Sequence, residues 1–190
     1  MSVILDILGS FVIRAAIVVV ILNMMINLHQ SLSKNSDRIY LNHSISGVAD
    51  VIAADIKLAG YGALTPKTFF KADSNDMGFH ADTGNVGTTY QNIRYYLSPT
   101  TPYSAHKVLY RRVNSAAALE VARDVISFTV KYYKVTGVAS TYGSDTSNLK
   151  SMYVKIILES NITERAYYST SKDTAALKVT WERHFFPENL

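Results

Sequence analysis

Two charged residues mark the apolar run near the start of this sequence: Asp6, immediately before it, and Arg14, inside ILGSFVIRAAIVVVILNMMINL (Ile7 to Leu28). A charged group in hydrocarbon costs about 2.5 kcal/mol or more, so each requires a partner or an escape. Their eight-residue separation corresponds to about 12 Å along a helix axis, which rules out pairing within one straight helix. Two arrangements remain. In one, Asp6 of one helix meets Arg14 of a neighbour displaced along a shared axis. In the other, Asp6 lies at the headgroup level and Arg14 snorkels to reach water.

Other candidate chemistry is sparse. Asp73, Asn75 and Gly78 echo the start of a calcium loop, but Met77 and Gly84 stand where a ligand and the closing glutamate belong. His29, His43, His80, His106 and His184 show no metal-ligand spacing, and ordinary surface solvation is expected for each. No phosphate-cradling glycine loop, Gly-x-Ser-x-Gly elbow or haem-attachment motif is present. The absence of cysteine excludes disulfides, thiolate metal sites and cysteine catalysis. The expectation is no catalytic residue, no metal and no cofactor. Asn42 and Asn161 head glycosylation sequons, NHS and NIT, of a kind that arises often by chance. Arg94, Lys107, Arg111 and Arg112 form either a basic patch on one hairpin or a solvated edge that discourages strand-to-strand aggregation. A net charge of +4 with scattered Lys and Arg makes nucleic acid an unlikely main partner.

The run from Ile7 to Leu28 is long enough to cross a bilayer, which takes roughly 20 apolar residues. Helical periodicity continues beyond it. Leu41, Ile45, Val48, Ile52 and Ile56 recur every three or four residues, with Lys34, Asp37, Arg38, Asn42 and Asp50 mostly off that face. No proline occurs before Pro66, and Gly60 and Gly62 precede it, so the spacing predicts one helix over 1–59. Residues 1–30 form its apolar part, in a membrane or a filament core, with Val18, Ile21, Leu22 and Met25 as packing residues. Residues 31–59 pack on a head formed by 60–190. The fold class is α+β: a long N-terminal helix, apolar in front and amphipathic behind, laid on an antiparallel sheet.

Within 60–190, Thr65 to Thr89 reads as a loop-rich excursion with one short strand. Alternation marks strands at Gln91 to Leu97, Lys107 to Val113, Val125 to Val135, Lys150 to Glu159 and Ala176 to Phe186. Asn114 to Arg123 reads as a short helical or irregular connection. The Tyr doublets at 95 and 96, 132 and 133, and 167 and 168 each place one ring in the core and one on the surface, because neighbouring strand residues face opposite ways.

A continuous apolar-to-amphipathic helix ahead of a small antiparallel sheet resembles the type IV pilin and type II secretion pseudopilin superfamily, and within it the larger minor pilins. The likeness rests on Asp55 to Gly62 (DIKLAGYG), Ile93 to Leu97 (IRYYL), Val108 to Val113 (VLYRRV), Val125 to Tyr133 (VISFTVKYY) and Trp181 to Leu190 (WERHFFPENL). The departure lies at Ser2 to Asp6 (SVILD), where aspartate stands at the offset at which pilins carry glutamate. A start at Ser10 instead would put Arg14 there. The resemblance implies self-association into a helical filament, with Asp6 paired to a neighbour's free amine. It also implies residence in the inner membrane before assembly, export to the cell surface, and dealings with pilus or secretion machinery. Two alternatives stand beside a filament subunit: a low-copy tip pseudopilin, and a single-pass membrane protein with a β-rich ligand-binding domain.

Overall fold

A computed structural model describes residues 2–60, 68–81, 90–98, 106–134, 136–139, 149–160 and 176–187, with side chains from Asp6 onward. The chain divides into two compact units, Met1–Tyr40 and Leu41–Leu190. One α-helix, α1, spans Ser2–Lys57 and supplies all of the described first unit and the opening of the second. The unbroken run without proline or tight-turn chemistry accounts for its length.

The helix ends through local geometry. The amides of Leu58 and Ala59 bond the carbonyls of Asp55 and Ile56 at 3.1 and 3.0 Å, tightening the last turn. Gly60 then takes φ 79°, a left-handed conformation that glycine adopts without steric cost. Its amide donates to the His80 carbonyl at 2.8 Å, so the chain leaves the helix already tied to a strand.

In the second unit Leu41, Ile45, Val48, Ile52 and Ile56 are all buried, the helical stripe the sequence predicts. They cover a sheet of seven strands: β1 (Phe69–Ala72), β2 (Asp76–Ala81), β3 (Gln91–Leu97), β4 (Lys107–Val113), β5 (Leu119–Lys134), β6 (Leu149–Glu159) and β7 (Lys178–Phe185). Strand order follows sequence order throughout, and every neighbouring pair is antiparallel. The inward face carries Phe79, Ile93, Tyr95, Leu109, Val130, Tyr132, Val154, Ile156 and Leu158, all buried. Full burial of such side chains contributes about 1.5–3 kcal/mol each. Phe69 joins them in edge-on contacts with Phe79 and Tyr132, at ring separations of 6.1 and 5.5 Å.

The sheet differs from expectation in two places. The stretch read as a loop with one strand holds two, β1 and β2, joined by a turn in which the Asp73 amide bonds the Asp76 carbonyl at 3.0 Å. Alternation is hidden there because β1 has only four residues and because Gly78 interrupts β2. A Cβ on Gly78 would lie 2.6 Å from the Phe70 ring, so the glycine makes room for that ring. The stretch read as an irregular connection is instead a turn at Asn114 followed by the first part of β5. Asp124, at φ 57°, breaks the register of β5, so alternation is visible only from Val125 onward. Beyond that point β5 leaves β4, and the Val130 amide bonds the Ser74 carbonyl of the β1–β2 turn at 2.8 Å.

Tyr95 and Tyr132 are core rings, while Tyr96 and Tyr133 lie on the opposite face. Tyr167, Tyr168, Asn161, most of the Thr136 to Asn148 loop and the Glu188 to Leu190 tail fall outside the described residues.

Candidate functional site: an exposed apolar helix and a buried carboxylate

The first unit presents its surface without cover from within the chain: every side chain from Asp6 to His29 is exposed. Among the described residues this helix is long and apolar enough to cross a membrane. Val18, Ile21, Leu22 and Met25 are each more than half exposed. Asp6 and Arg14 line one shallow hollow with Gly9, Ser10 and Ile13, which places the two opposite charges on the same side of the helix. A Cβ on Gly9 would meet nothing within 4 Å, so this small residue serves no packing need inside its own chain.

The second unit contains a polar site that the residue patterns above do not single out. Asp55 lies on the sheet-facing stripe of α1 and is buried. Arg111 of β4 reaches it through two parallel bonds, Nε to Oδ2 at 2.6 Å and Nη2 to Oδ1 at 3.0 Å. The Tyr95 hydroxyl of β3 donates to the same Oδ2. Tyr95 and Arg111 are register partners across β3 and β4, so both point toward the helix. A bidentate guanidinium and a phenol fill the acceptor positions that a buried carboxylate must satisfy. Burial, followed by the charge of Asp55, pushes the Tyr95 phenol above its usual range. Bonding to Asp55 raises Arg111 further above its own. The arrangement has the chemistry of a clamp between helix and sheet.

The signal for this clamp is present in the sequence. Asp55 falls seven residues after Val48 and three after Ile52, inside an apolar stripe, and Arg111 shares the inward side of β4 with Leu109.

Neither reading of the basic residues on β3 and β4 describes the structure. The β3–β4 hairpin lies within the sheet rather than at its edge, and its charges divide between the two faces. Arg111 turns inward. Arg94, on the outer face, pairs with Asp76 at 2.8 and 2.5 Å and covers the Tyr96 ring at 5.0 Å. The bond that Arg94 donates to Asp76 raises the guanidinium above its ordinary value. Tyr96 stacks on Tyr110 at 5.8 Å.

Two of the histidines, His80 part-exposed and His184 exposed, also contact neighbouring rings. His80 bonds Asn92 at 2.6 Å between Phe70 and Tyr90, and His184 bonds Ser151 at 3.0 Å while stacking on Phe186. No group of three metal-capable side chains occurs among the described residues.

No protein-family model and no curated protein sequence matches the chain. The solved structure of a type IV-like pilin from Thermus thermophilus does match, with a TM-score of 0.52 at 13% identity, over 79% of this chain and 98% of that one. The chain has a type IV pilin-like fold. Within this fold the chain carries an exposed apolar helix and, between helix and sheet in the second unit, the Asp55–Arg111 pair.

Proposed function

We propose that this chain is a structural subunit of a type IV pilus-like extracellular filament. It resides in the inner membrane through its apolar helix, and pilus or secretion machinery then moves it into a filament whose core is a bundle of such helices. A pilin-like fold supports a structural rather than catalytic role. The observation that carries the reading is the uncovered helix from Asp6 to His29. Outside a bilayer this surface needs partners, and bundling keeps Val18, Ile21, Leu22 and Met25 from water at about 1.5–3 kcal/mol each.

In this reading Asp6 and Arg14 set the axial register. Parallel helices at the same height bring Asp6 against Asp6 and Arg14 against Arg14. A displacement of about 12 Å brings opposite charges together. Electron microscopy of material sheared from producing cells, with mass spectrometry of the bands, tests the assignment. Filaments composed mainly of this chain support it. Protein found only in the detergent-extracted membrane moves it to a minor subunit or a single-pass receptor. Asp6→Ala and Arg14→Ala are each expected to cut filament yield sharply, and normal yield from both refutes the pairing.

A further inference from the structure

The apolar surface of the first unit does not stop where the apolar run stops. Val18, Met25, Leu32 and Ile39 follow one another at intervals of seven residues, and Ile21 and Leu28 hold the position three residues after the first two. This is the a/d line of a heptad repeat. Leu32 is 60% exposed and Ile39 63%, whereas Leu41, two residues further on, is 1% exposed. Within the chain itself, then, both side chains remain open.

Lipid is a poor occupant for this extension. Around Leu32, every residue from His29 to Arg38 is polar or charged, including Lys34, Asp37 and Arg38. Each of these three charges would cost about 2.5 kcal/mol or more in hydrocarbon. The interval suggests what does fit. A repeat of seven, rather than one drifting with the 3.6-residue turn, keeps a seam facing another helix of matching repeat. Asn35 occupies the next position on the Ile21 and Leu28 line. A lone amide at a seam position is satisfied by an amide on a partner helix, and such residues fix register at a cost in stability.

We propose that a second, parallel copy of this chain covers this line through Leu32 and Ile39, so that contact between copies continues about 16 Å past Leu28. The inference rests on the filament reading and adds to it a stretch of interface in the polar segment, outside the bilayer-length run.

Because the chain has no cysteine, engineered thiols give a clean test. Three double variants are oxidised in membranes and in sheared material: Leu32→Cys with Ile39→Cys on the proposed seam, Gln30→Cys with Lys34→Cys off it, and Val18→Cys with Met25→Cys within the apolar run. The seven-residue spacing of the seam pair, about 10.5 Å, sets thiol against thiol when copies lie level and within about 1.5 Å of each other at the displacement of about 12 Å that pairs Asp6 with Arg14. The expected result is a ladder of cross-linked species from the seam pair, about tenfold more abundant than from the off-seam pair. Equal ladders from those two pairs overturn the proposal. A ladder from Val18→Cys with Met25→Cys but none from the seam pair overturns the extension and leaves the filament reading standing. No ladder from either pair overturns both. As a second measure, Ile39→Lys is expected to lower filament yield without moving the urea midpoint of the head, and unchanged yield counts against the seam.

Discussion

Replacing Asp55 with alanine tests the clamp between α1 and the sheet. The substitution removes the shared acceptor of two groups at once. Tyr95 is fully buried, and the Arg111 side chain is only 20% exposed. Losing one member of a buried charge pair costs about 3–5 kcal/mol, and an orphaned buried hydroxyl about 1–3 kcal/mol. Arg111 can regain some water through its exposed fifth, which argues for a total near the lower end, about 4 kcal/mol. Against a domain stability of roughly 5–15 kcal/mol this is a large fraction. With a urea slope of about 2 kcal/mol per molar, the midpoint should fall by about 2 M. The assay is urea unfolding of the full chain in detergent, followed by fluorescence of the single tryptophan, Trp181.

A companion variant separates the worth of the clamp from the penalty of breaking it. Asp55→Leu, Tyr95→Phe and Arg111→Met together leave no polar group unmatched, so this triple change should cost far less than Asp55→Ala alone. The pH dependence adds a signed check. Folding holds the Tyr95 phenol above its usual value near 10, so the folded chain keeps a proton that the unfolded chain releases once the pH passes 10. The stability lead of the natural chain over Tyr95→Phe is therefore complete below pH 10 and shrinks above it by about 1.4 kcal/mol per pH unit. An Asp55→Ala midpoint within about 0.3 M of the natural chain would falsify the clamp, since no buried charge pair is lost that cheaply.

Other outcomes follow from single contacts. Gly78→Ala pushes a methyl group against the far edge of the Phe70 ring, which is 44% exposed and can turn aside, so the cost should stay below about 1 kcal/mol, and Phe70→Ala in the same chain should remove it in the same urea assay. Hydrogen bonding from Tyr153, then from Lys155, holds the Glu182 carboxyl below its ordinary value. Its contribution is present above the normal carboxylate range and fades as pH falls through the lowered value. Carboxyl titration followed by NMR should place Glu182 below a free glutamate, and Tyr153→Phe should shift it back upward.

The parts of this fold that are legible in the sequence are those whose periodicity nothing interrupts. The Leu41 to Ile56 stripe and the alternation of β3, β4, β6 and β7 are each carried by side chains at an unbroken spacing, three or four residues on the helix and two on the strands. Gly78 and Asp124 conceal the remainder, one by removing a side chain from the pattern and the other by shifting register in mid-strand. The clamp was readable in principle. A carboxylate inside a helical apolar stripe requires a cation, and the inward side of KVLYRRV supplies one at Arg111. Of the three cations on β4, Arg111 shares the inward side with the buried Leu109, and the unbroken pairing of β3 with β4 sets it beside Tyr95.

The sequential order of the seven strands bears on how the head comes to be folded. Each strand pairs with the one made just before it, so hairpins can form as the chain is delivered, without waiting for distant partners. The sheet-facing turns of α1 are made first and expose Leu41, Ile45, Ile52 and Ile56 until strands arrive to cover them. Asp55 must wait 40 residues for Tyr95 and 56 for Arg111. Until β4 is in place, the helix carries a charge on its apolar stripe that has no mate, so early, indiscriminate burial of that stripe is penalised. Burial of Asp55 without these partners carries a desolvation cost that Tyr95 and Arg111 offset in the native head.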